Sequence, residues 1–253
     1  MTTAVVARQV GPGTLLSVVL LVVASVGASP TEARPPSSPA PAIEDQETRE
    51  ILDRPTLRRQ FPRIRFVGDR RTYEFLVDHP PLATQLARRL HPPLERYTVT
   101  QVGEGTYTIE DRGALRGEAK LVTAAADQRV YWFKGEFRSL ANLLRFAGRM
   151  VLVLHYREVR EGDRTYMESD PDFYLRIDHF FLGFMVKVLT PLINLLIDRR
   201  VNMIAEATGT LFEQIESDPE ALYKKMASWN EVRPEDLEAY RRAVLPKRLP
   251  VRP

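Results

Sequence analysis

Residues 178–200 read DHFFLGFMVKVLTPLINLLIDRR, and this stretch decides how the chain can fold. On a helix, its large apolar residues recur at spacings of three and four, the pattern of a helix with one buried face. These residues are Phe180, Phe181, Phe184, Val188, Leu189, Leu192, Leu195 and Leu196. A narrow polar stripe that contains Lys187, Thr190 and Asn194 follows the same spacing. A helix this apolar must lie against a large surface, which is a curved sheet, a lipid bilayer or a partner protein.

We predict one long helix over residues 179–216, kinked near Pro191 because proline removes a backbone hydrogen bond and clashes with the preceding turn. A membrane span over 180–197 is the alternative that length alone allows. Lys187 near the centre of such a span would cost roughly 2.5–3.5 kcal/mol on insertion scales. We therefore expect the helix to pack on a sheet, with peripheral membrane contact as a further use of the same surface.

A run of short strand candidates, rich in aromatic and β-branched residues, precedes this helix. The candidates are 97–102, 106–109, 114–123, 128–139, 149–159, 165–169 and 173–177. The short turns between them favour antiparallel pairing. Asp170, Pro171 and Asp172 separate the last two candidates, and we interpret them as a turn whose side chains bond the local backbone.

Short helices are predicted on both sides of the strands. They cover 44–52, a region 73–90 that is interrupted at Pro80, a link at 140–146, and two C-terminal helices at 219–227 and 234–244. Proline explains three of these boundaries, because it fits the first turn of a helix but not its interior.

Residues 1–28 have the layout of a secretory signal peptide. Arg8 is their only charge, residues 14–26 are apolar, and Val26 and Ala28 are small residues before a cleavage site. The apolar run is shorter than the roughly 20 residues that span a bilayer as a helix. We expect export to a periplasm or beyond after cleavage, and the alternative is an uncleaved N-terminal membrane anchor.

The remaining chain divides by composition into four parts. They are a disordered proline-rich linker (29–42), a charged N-terminal extension (43–71), a main domain (72–217), and short helices with a loose basic tail (218–253). Removing residues 1–28 takes away Arg8 alone, so the formal charge falls from +3 to +2. Such a balanced charge, with acids and bases interleaved, gives no argument for a nucleic-acid partner, and we predict none. The chain has no cysteine, which rules out disulfides and cysteine metal sites.

Small helices, then antiparallel strands, then a long C-terminal helix is an order that resembles the START-like, or helix-grip, superfamily of polyketide-cyclase, steroid-transfer and Bet v 1-like domains. The resemblance covers residues 73–216. It implies an α+β fold in which a curved antiparallel sheet wraps a long kinked C-terminal helix, with small extra helices at the ends. The superfamily opens with a strand before its small helices, and here only 63–67 can supply it.

The resemblance also implies a hollow between sheet and helix that holds a hydrophobic small molecule or lipid. The matching ligand-binding positions are Tyr107, Tyr131, Phe133, Phe137, His155, Tyr156 and Phe173 on the strands, with Phe184, Val188 and Leu192 on the helix. At each position an ordinary core residue is the more common interpretation, because aromatic and aliphatic residues at these spacings usually just pack. His155 points into the hollow only if Val151 and Val153 also face inward. The outward orientation is favoured, because Arg149 and Arg157 share its face.

No catalytic motif, metal-ligand spacing or cofactor fingerprint is present, so we assign no catalytic residue, metal or cofactor. The sequence predicts an exported binding protein that sequesters or transfers an apolar or lipid-like small molecule. The alternative is a structural or interaction protein of the cell envelope with the same fold and a filled core. An enzyme acting on a hydrophobic substrate is the third interpretation.

Overall fold

The computed structural model describes residues 43–112, 115–139, 144–177 and 202–245, with only the backbone at 137–139 and 144–146. The helices in these ranges are α1 (Gln46–Asp53), α2 (Arg70–Asp78), α3 (Pro80–Leu90), α4 (described over 202–217), α5 (Pro219–Ala227) and α6 (Pro234–Val244). The strands are β1 (Leu57–Gln60), β2 (Ile64–Val67), β3 (Tyr97–Gly103), β4 (Thr106–Asp111), β5 (Leu115–Ala125), β6 (Gln128–Ser139), β7 (Leu144–Glu161) and β8 (Arg164–Ile177).

These eight strands form one curved antiparallel sheet in the order β1-β8-β7-β6-β5-β4-β3. Strand β2 pairs with β8 as well, so β1 and β2 follow one another along the same edge of β8. Strands β3 to β8 are successive antiparallel neighbours, as the short predicted turns require. The expectation of an α+β chain with a large antiparallel sheet is confirmed.

Different helices cover the two faces of the sheet. The inner face carries residues such as Tyr131 and Leu152, which belong to one core with residues of α2, α3 and α4. The outer face carries Val130, Val151 and Val153, which form a smaller cluster with Ile43 and Ile51 around α1. Alternation along the strands separates the two sets, because successive side chains point to opposite faces.

Two local predictions were wrong. Residues 144–146 belong to β7 and not to a helical link, whereas 140–143 lie outside the described residues. Strand β8 runs without a break through Asp170, Pro171 and Asp172, where a turn was predicted. The missing N–H of Pro171 is tolerated because it lies where the neighbour of β8 changes from β1 to β2; the Pro171 carbonyl accepts a hydrogen bond from Phe61 N there.

Helix α4 is fixed against the start of α2 by Phe212. Its ring lies 4.4 Å from that of Phe66 and 6.4 Å from that of Tyr73, between ring centroids. Gly68 makes room for it, because a Cβ there would lie 2.6 Å from Phe212 Cδ1. The close approach of a side chain to the backbone at Gly68 explains why glycine occupies this link.

The order β2, α2, α3, β3 to β8 and α4 fits a helix-grip arrangement, and β2 is the opening strand that the sequence placed at 63–67. Helices α2 and α3 meet at His79, so the predicted interruption at Pro80 is confirmed. Residues 178–201 lie outside the described residues, and with them the predicted kink at Pro191. The predicted C-terminal helix is therefore described only over 202–217.

Candidate functional site

Five of the strand residues predicted to line a hollow lie on the inner face of the sheet. They are Tyr107 on β4, Tyr131 and Phe133 on β6, Tyr156 on β7 and Phe173 on β8. Each of the five is between 1% and 6% exposed, and all belong to the main core. The strand register brings them together, since Leu152 lies opposite both Tyr131 and Phe173.

The other predicted positions divide into two groups. The side chain of Phe137, together with Phe184, Val188 and Leu192, lies outside what the structure describes. His155 is described, and it lies on the outer face, in register with Gln128 and Asp170. Its ring nitrogens are 3.3 and 3.4 Å from Gln128 Nε2. The prediction that His155 lines the hollow is therefore corrected, because His155 shares the outer face with Val151 and Val153, which α1 covers.

A buried ion pair stands at one end of the inner face. The guanidinium of Arg129, on β6, donates to both carboxylate oxygens of Asp78 at the end of α2, at 2.7 Å (Nε–Oδ1) and 3.0 Å (Nη2–Oδ2). The Arg129 side chain is only 8% exposed, whereas that of Asp78 is 35% exposed. The bidentate geometry is the strong form of an arginine–carboxylate contact.

Hydrogen bonds extend this ion pair to Tyr156 and Glu74. Arg129 Nη1 donates to the Tyr156 hydroxyl at 2.5 Å, and that hydroxyl donates to Glu74 Oε1 at 3.1 Å. Arg129 Nη1 also donates to the carbonyl of Gln128 at 3.1 Å and to that of Ala125. We call Glu74, Asp78, Arg129 and Tyr156 the inner polar cluster. It connects α2 to the sheet while satisfying a buried charge.

Neighbouring tyrosines strengthen the same connection. Tyr131 donates its hydroxyl hydrogen to the Val77 carbonyl at 2.7 Å. The hydroxyls of Tyr73 and Ser169 lie 3.1 Å apart. Tyrosine suits such positions because its ring is apolar and its hydroxyl needs a partner when buried.

Sequence reasoning missed the inner polar cluster because an arginine after a turn is typical of a surface position. Two signals could have found it. Arg129 alternates with Tyr131 and Phe133, which places it on the same face as these aromatics. Glu74 and Asp78 are four residues apart, which places them on one face of a helix.

The surroundings of the inner polar cluster keep the tyrosine side chains there neutral. Burial raises the pKa of Tyr73, Tyr131 and Tyr156 well above the ordinary tyrosine value. Burial alone would lower the pKa of Arg129, but the hydrogen bonds and charge of Asp78 outweigh it and raise that pKa. Near neutral pH the phenols can therefore act as hydrogen-bonding groups and not as bases.

Tyr107 differs from the other inner tyrosines because its hydroxyl makes no hydrogen bond to another residue that the structure describes. Burial, followed by the charge of Asp78, raises its pKa. A neutral phenol on the inner face, close enough to feel the inner polar cluster, is suited to bond a polar atom of a bound molecule.

We expect at least four of the nine tyrosines to resist ionisation in the folded protein, since burial raises the pKa of Tyr73, Tyr107, Tyr131 and Tyr156. Groups with raised folded pKa values stabilise the fold below the unfolded pKa of about 10, and that contribution is lost as the pH rises above it. Ultraviolet absorbance during an alkaline titration measures this ionisation. In concentrated urea all nine should ionise together. Ionisation of all nine near pH 10 in the folded protein would contradict the prediction.

No group of three or more histidine, aspartate or glutamate side chains within the described ranges is arranged to hold a metal ion. Within the same ranges, no helix combines the length and the apolar character needed to cross a membrane. The segment 180–197, for which a span was considered, is outside them.

Comparisons with known proteins give structural similarity only. No family model matches the chain, and no curated protein matches it. A conserved protein from Geobacillus kaustophilus is similar at a TM-score of 0.38 and 12% identity, covering 60% of this chain and 95% of its own. Truncated norcoclaurine synthase from Thalictrum flavum is similar at a TM-score of 0.38 and 14% identity, covering 61% and 93% respectively. These values are too low to transfer a property of either protein to this chain.

Proposed function

We propose that this protein binds an apolar or lipid-like small molecule between the inner face of its sheet and the predicted helix of Phe184, Val188 and Leu192. It would sequester or transfer that molecule after export. The observation that carries the proposal is the inner face itself, where five aromatic side chains lie beside the Arg129–Asp78 ion pair. Small-molecule sites combine an apolar lining with a few placed polar groups in this way.

Binding would be driven by removal of apolar surface from water, at roughly 25 cal/mol per Å². The polar groups at the end of the site near Asp78 would set the orientation of the bound molecule. Most donors of Arg129 are already occupied by Asp78, Tyr156 and backbone carbonyls, so the Tyr107 hydroxyl is the group best placed to meet a polar head. The ligand that fits is therefore largely apolar, with one hydrogen-bonding atom at the end near Asp78.

One observation favours the second candidate, an interaction protein with a filled core. The five inner aromatics are at most 6% exposed, as ordinary core residues are. Burial of this kind is compatible with both functions, because a closed hollow also hides its lining from water. The two candidates differ in whether additional volume fits between the sheet and the predicted helix.

Replacing Ala119 with phenylalanine separates the two candidates. Ala119 lies on the inner face between Tyr107 and Phe133 in the strand register, and it is 3% exposed. In a hollow, the added ring occupies ligand space, so lipid that copurifies with the protein should disappear while stability changes by less than about 1 kcal/mol. Native mass spectrometry detects the lipid, and titration with anilinonaphthalene sulfonate measures the remaining binding.

In a filled core the same ring overpacks the site and destabilises the protein by about 1–3 kcal/mol. Ala227→Phe is the matched control, because Ala227 is an exposed residue at the end of α5. A destabilised Ala119→Phe variant, together with a parent protein that carries no lipid and binds no dye, would refute the binding function and favour the interaction protein.

A further inference from the structure

The outer face of the sheet carries a groove that the proposed ligand site does not use. It has a volume of about 840 Å³ and crosses β3 to β7. We call this groove the outer groove, and its polar lining residues are Thr98, Thr100, Thr108, Glu110, Arg116, Glu118, Lys134 and Glu136. Register places Thr108 opposite Glu118 and Glu118 opposite Lys134, so one row of the outer face runs across three strands.

Three charged side chains that line the outer groove have no bonding partner within the described part of the fold. Arg116, Glu118 and Lys134 are exposed, and they make no hydrogen bond or ion pair with another residue that the structure describes. The Thr108 hydroxyl donates to the Thr100 carbonyl at a long 3.4 Å. The outer groove therefore presents hydroxyl, ammonium and guanidinium donors that remain available to a chain rich in carbonyl acceptors.

The position of α1 on the outer face indicates which part of the chain could supply those carbonyl acceptors. Near its start, Asp45 lies close enough to Lys120 on β5 for that charge to act on it. Glu47 then pairs with Arg149 on β7 at 3.0 Å, and Glu50 pairs with Arg176 on β8 at 2.9 Å. Helix α1 thus crosses the outer face from β5 toward β8. The described chain begins at Ile43, which belongs to the outer-face cluster with Val130 on β6, two strands from β4.

We propose that the proline-rich segment 29–42 of this chain docks in the outer groove. Five of its fourteen residues are proline. Prolines favour the extended polyproline II form, which has no internal hydrogen bonds and exposes its carbonyls. At about 3.1 Å per residue, five residues reach roughly 15 Å from Ile43. Strands lie about 4.8 Å apart, so this length reaches β4 and β3.

A buried donor lies where α1 meets the outer groove. Trp132 lies on the outer face between Val130 and Lys134, and its indole Nε1 is buried without an acceptor among the described residues. Buried donors are nearly always paired, so this position lacks a partner. A carbonyl of the residues just before Ile43 would supply it. Docking of this kind would hold the domain close to whatever precedes residue 29, in place of a free tether.

Disulfide crosslinking tests the docking, and the absence of cysteine from the chain makes the chemistry specific. The test protein carries Ser38→Cys and Thr108→Cys. The control carries Ser38→Cys and Gln60→Cys, because Gln60 is an exposed outer-face residue on β1, about as many strands from Ile43 in the opposite direction. Oxidation rates are measured at low protein concentration on non-reducing gels, and circular dichroism checks that both variants fold.

Docking raises the effective concentration of residue 38 at β4, so we expect the Thr108 pair to close about tenfold faster than the Gln60 pair. Equal rates would mean that the segment moves freely, and they would overturn the proposal. A disulfide that forms between two molecules and not within one would also overturn it, because a second copy would then be the occupant. The result does not depend on ligand binding at the inner face.

Discussion

Asp78→Asn is expected to destabilise the protein by about 3 kcal/mol, because it leaves the Arg129 guanidinium buried without its carboxylate. Removing one partner of a buried ion pair costs about 3–5 kcal/mol, and the lower end applies because water reaches the Asp78 side chain. Arginine cannot escape the penalty by losing its proton. Urea unfolding of the variant and the parent measures the difference in unfolding free energy.

A double-mutant cycle with Arg129→Met identifies the origin of that loss. If the cost comes from an unpaired buried charge, the double variant should be no less stable than Asp78→Asn alone. Glu238→Gln is the matched surface control, since Glu238 pairs with Arg241 at 2.8 Å on the exposed side of α6. Because both side chains are exposed to water, its loss of stability should be far smaller than that of Asp78→Asn. Equal losses for the two carboxylate variants would show that burial of the Arg129 guanidinium adds no penalty when its carboxylate partner is removed.

The order of strands and helices could be predicted from the sequence because it depends on local signals. Alternating aromatic and β-branched residues marked β3 to β7, and proline marked the starts of α3, α5 and α6. Strand β1 was missed because Leu57-Arg-Arg-Gln60 reads as a solvated charged segment. Its strand conformation comes from pairing with β8, a contact more than a hundred residues away that no local pattern contains.

The inner face could be predicted in part for the same reason. Alternation identified Tyr107, Tyr131, Phe133 and Phe173, since each stands in a clear period-two strand. Alternation did not decide on which face of the sheet His155 lies, because both faces of β7 are apolar and α1 covers the outer one. A sheet covered on both faces shows no polar side, and only the position of α1 decides which face His155 shares.

The curvature of the sheet could not be foreseen from glycine content, because it depends on register. Gly117 on β5 lies opposite Gly135 on β6, and Gly135 lies opposite Gly148 on β7. Three glycines in one row remove the side chains that would keep these strands apart on the inner face. The sequence shows them at scattered positions, and only the paired strands bring them into line.

Gly117→Ala is accordingly expected to destabilise the protein by about 3 kcal/mol, the upper end of the cost of overpacking. Its Cβ would lie 2.4 Å from the Lys134 carbonyl oxygen and 2.9 Å from Gly135 Cα. Both atoms belong to the backbone of β6, so neither can turn away as a side chain would, and the two strands must separate. Urea unfolding measures the loss.

Gly103→Ala is the control for this prediction. Its added Cβ would meet Thr106 Cβ at an ordinary 3.7 Å, so its stability should change by less than about 1 kcal/mol. If the sheet needs the glycine row in order to curve, Gly117→Ala should also weaken binding of anilinonaphthalene sulfonate while Gly103→Ala does not. A Gly117→Ala protein as stable as Gly103→Ala would mean that β5 and β6 do not approach this closely. The concave inner face, on which the proposed ligand site depends, would then lack its structural cause.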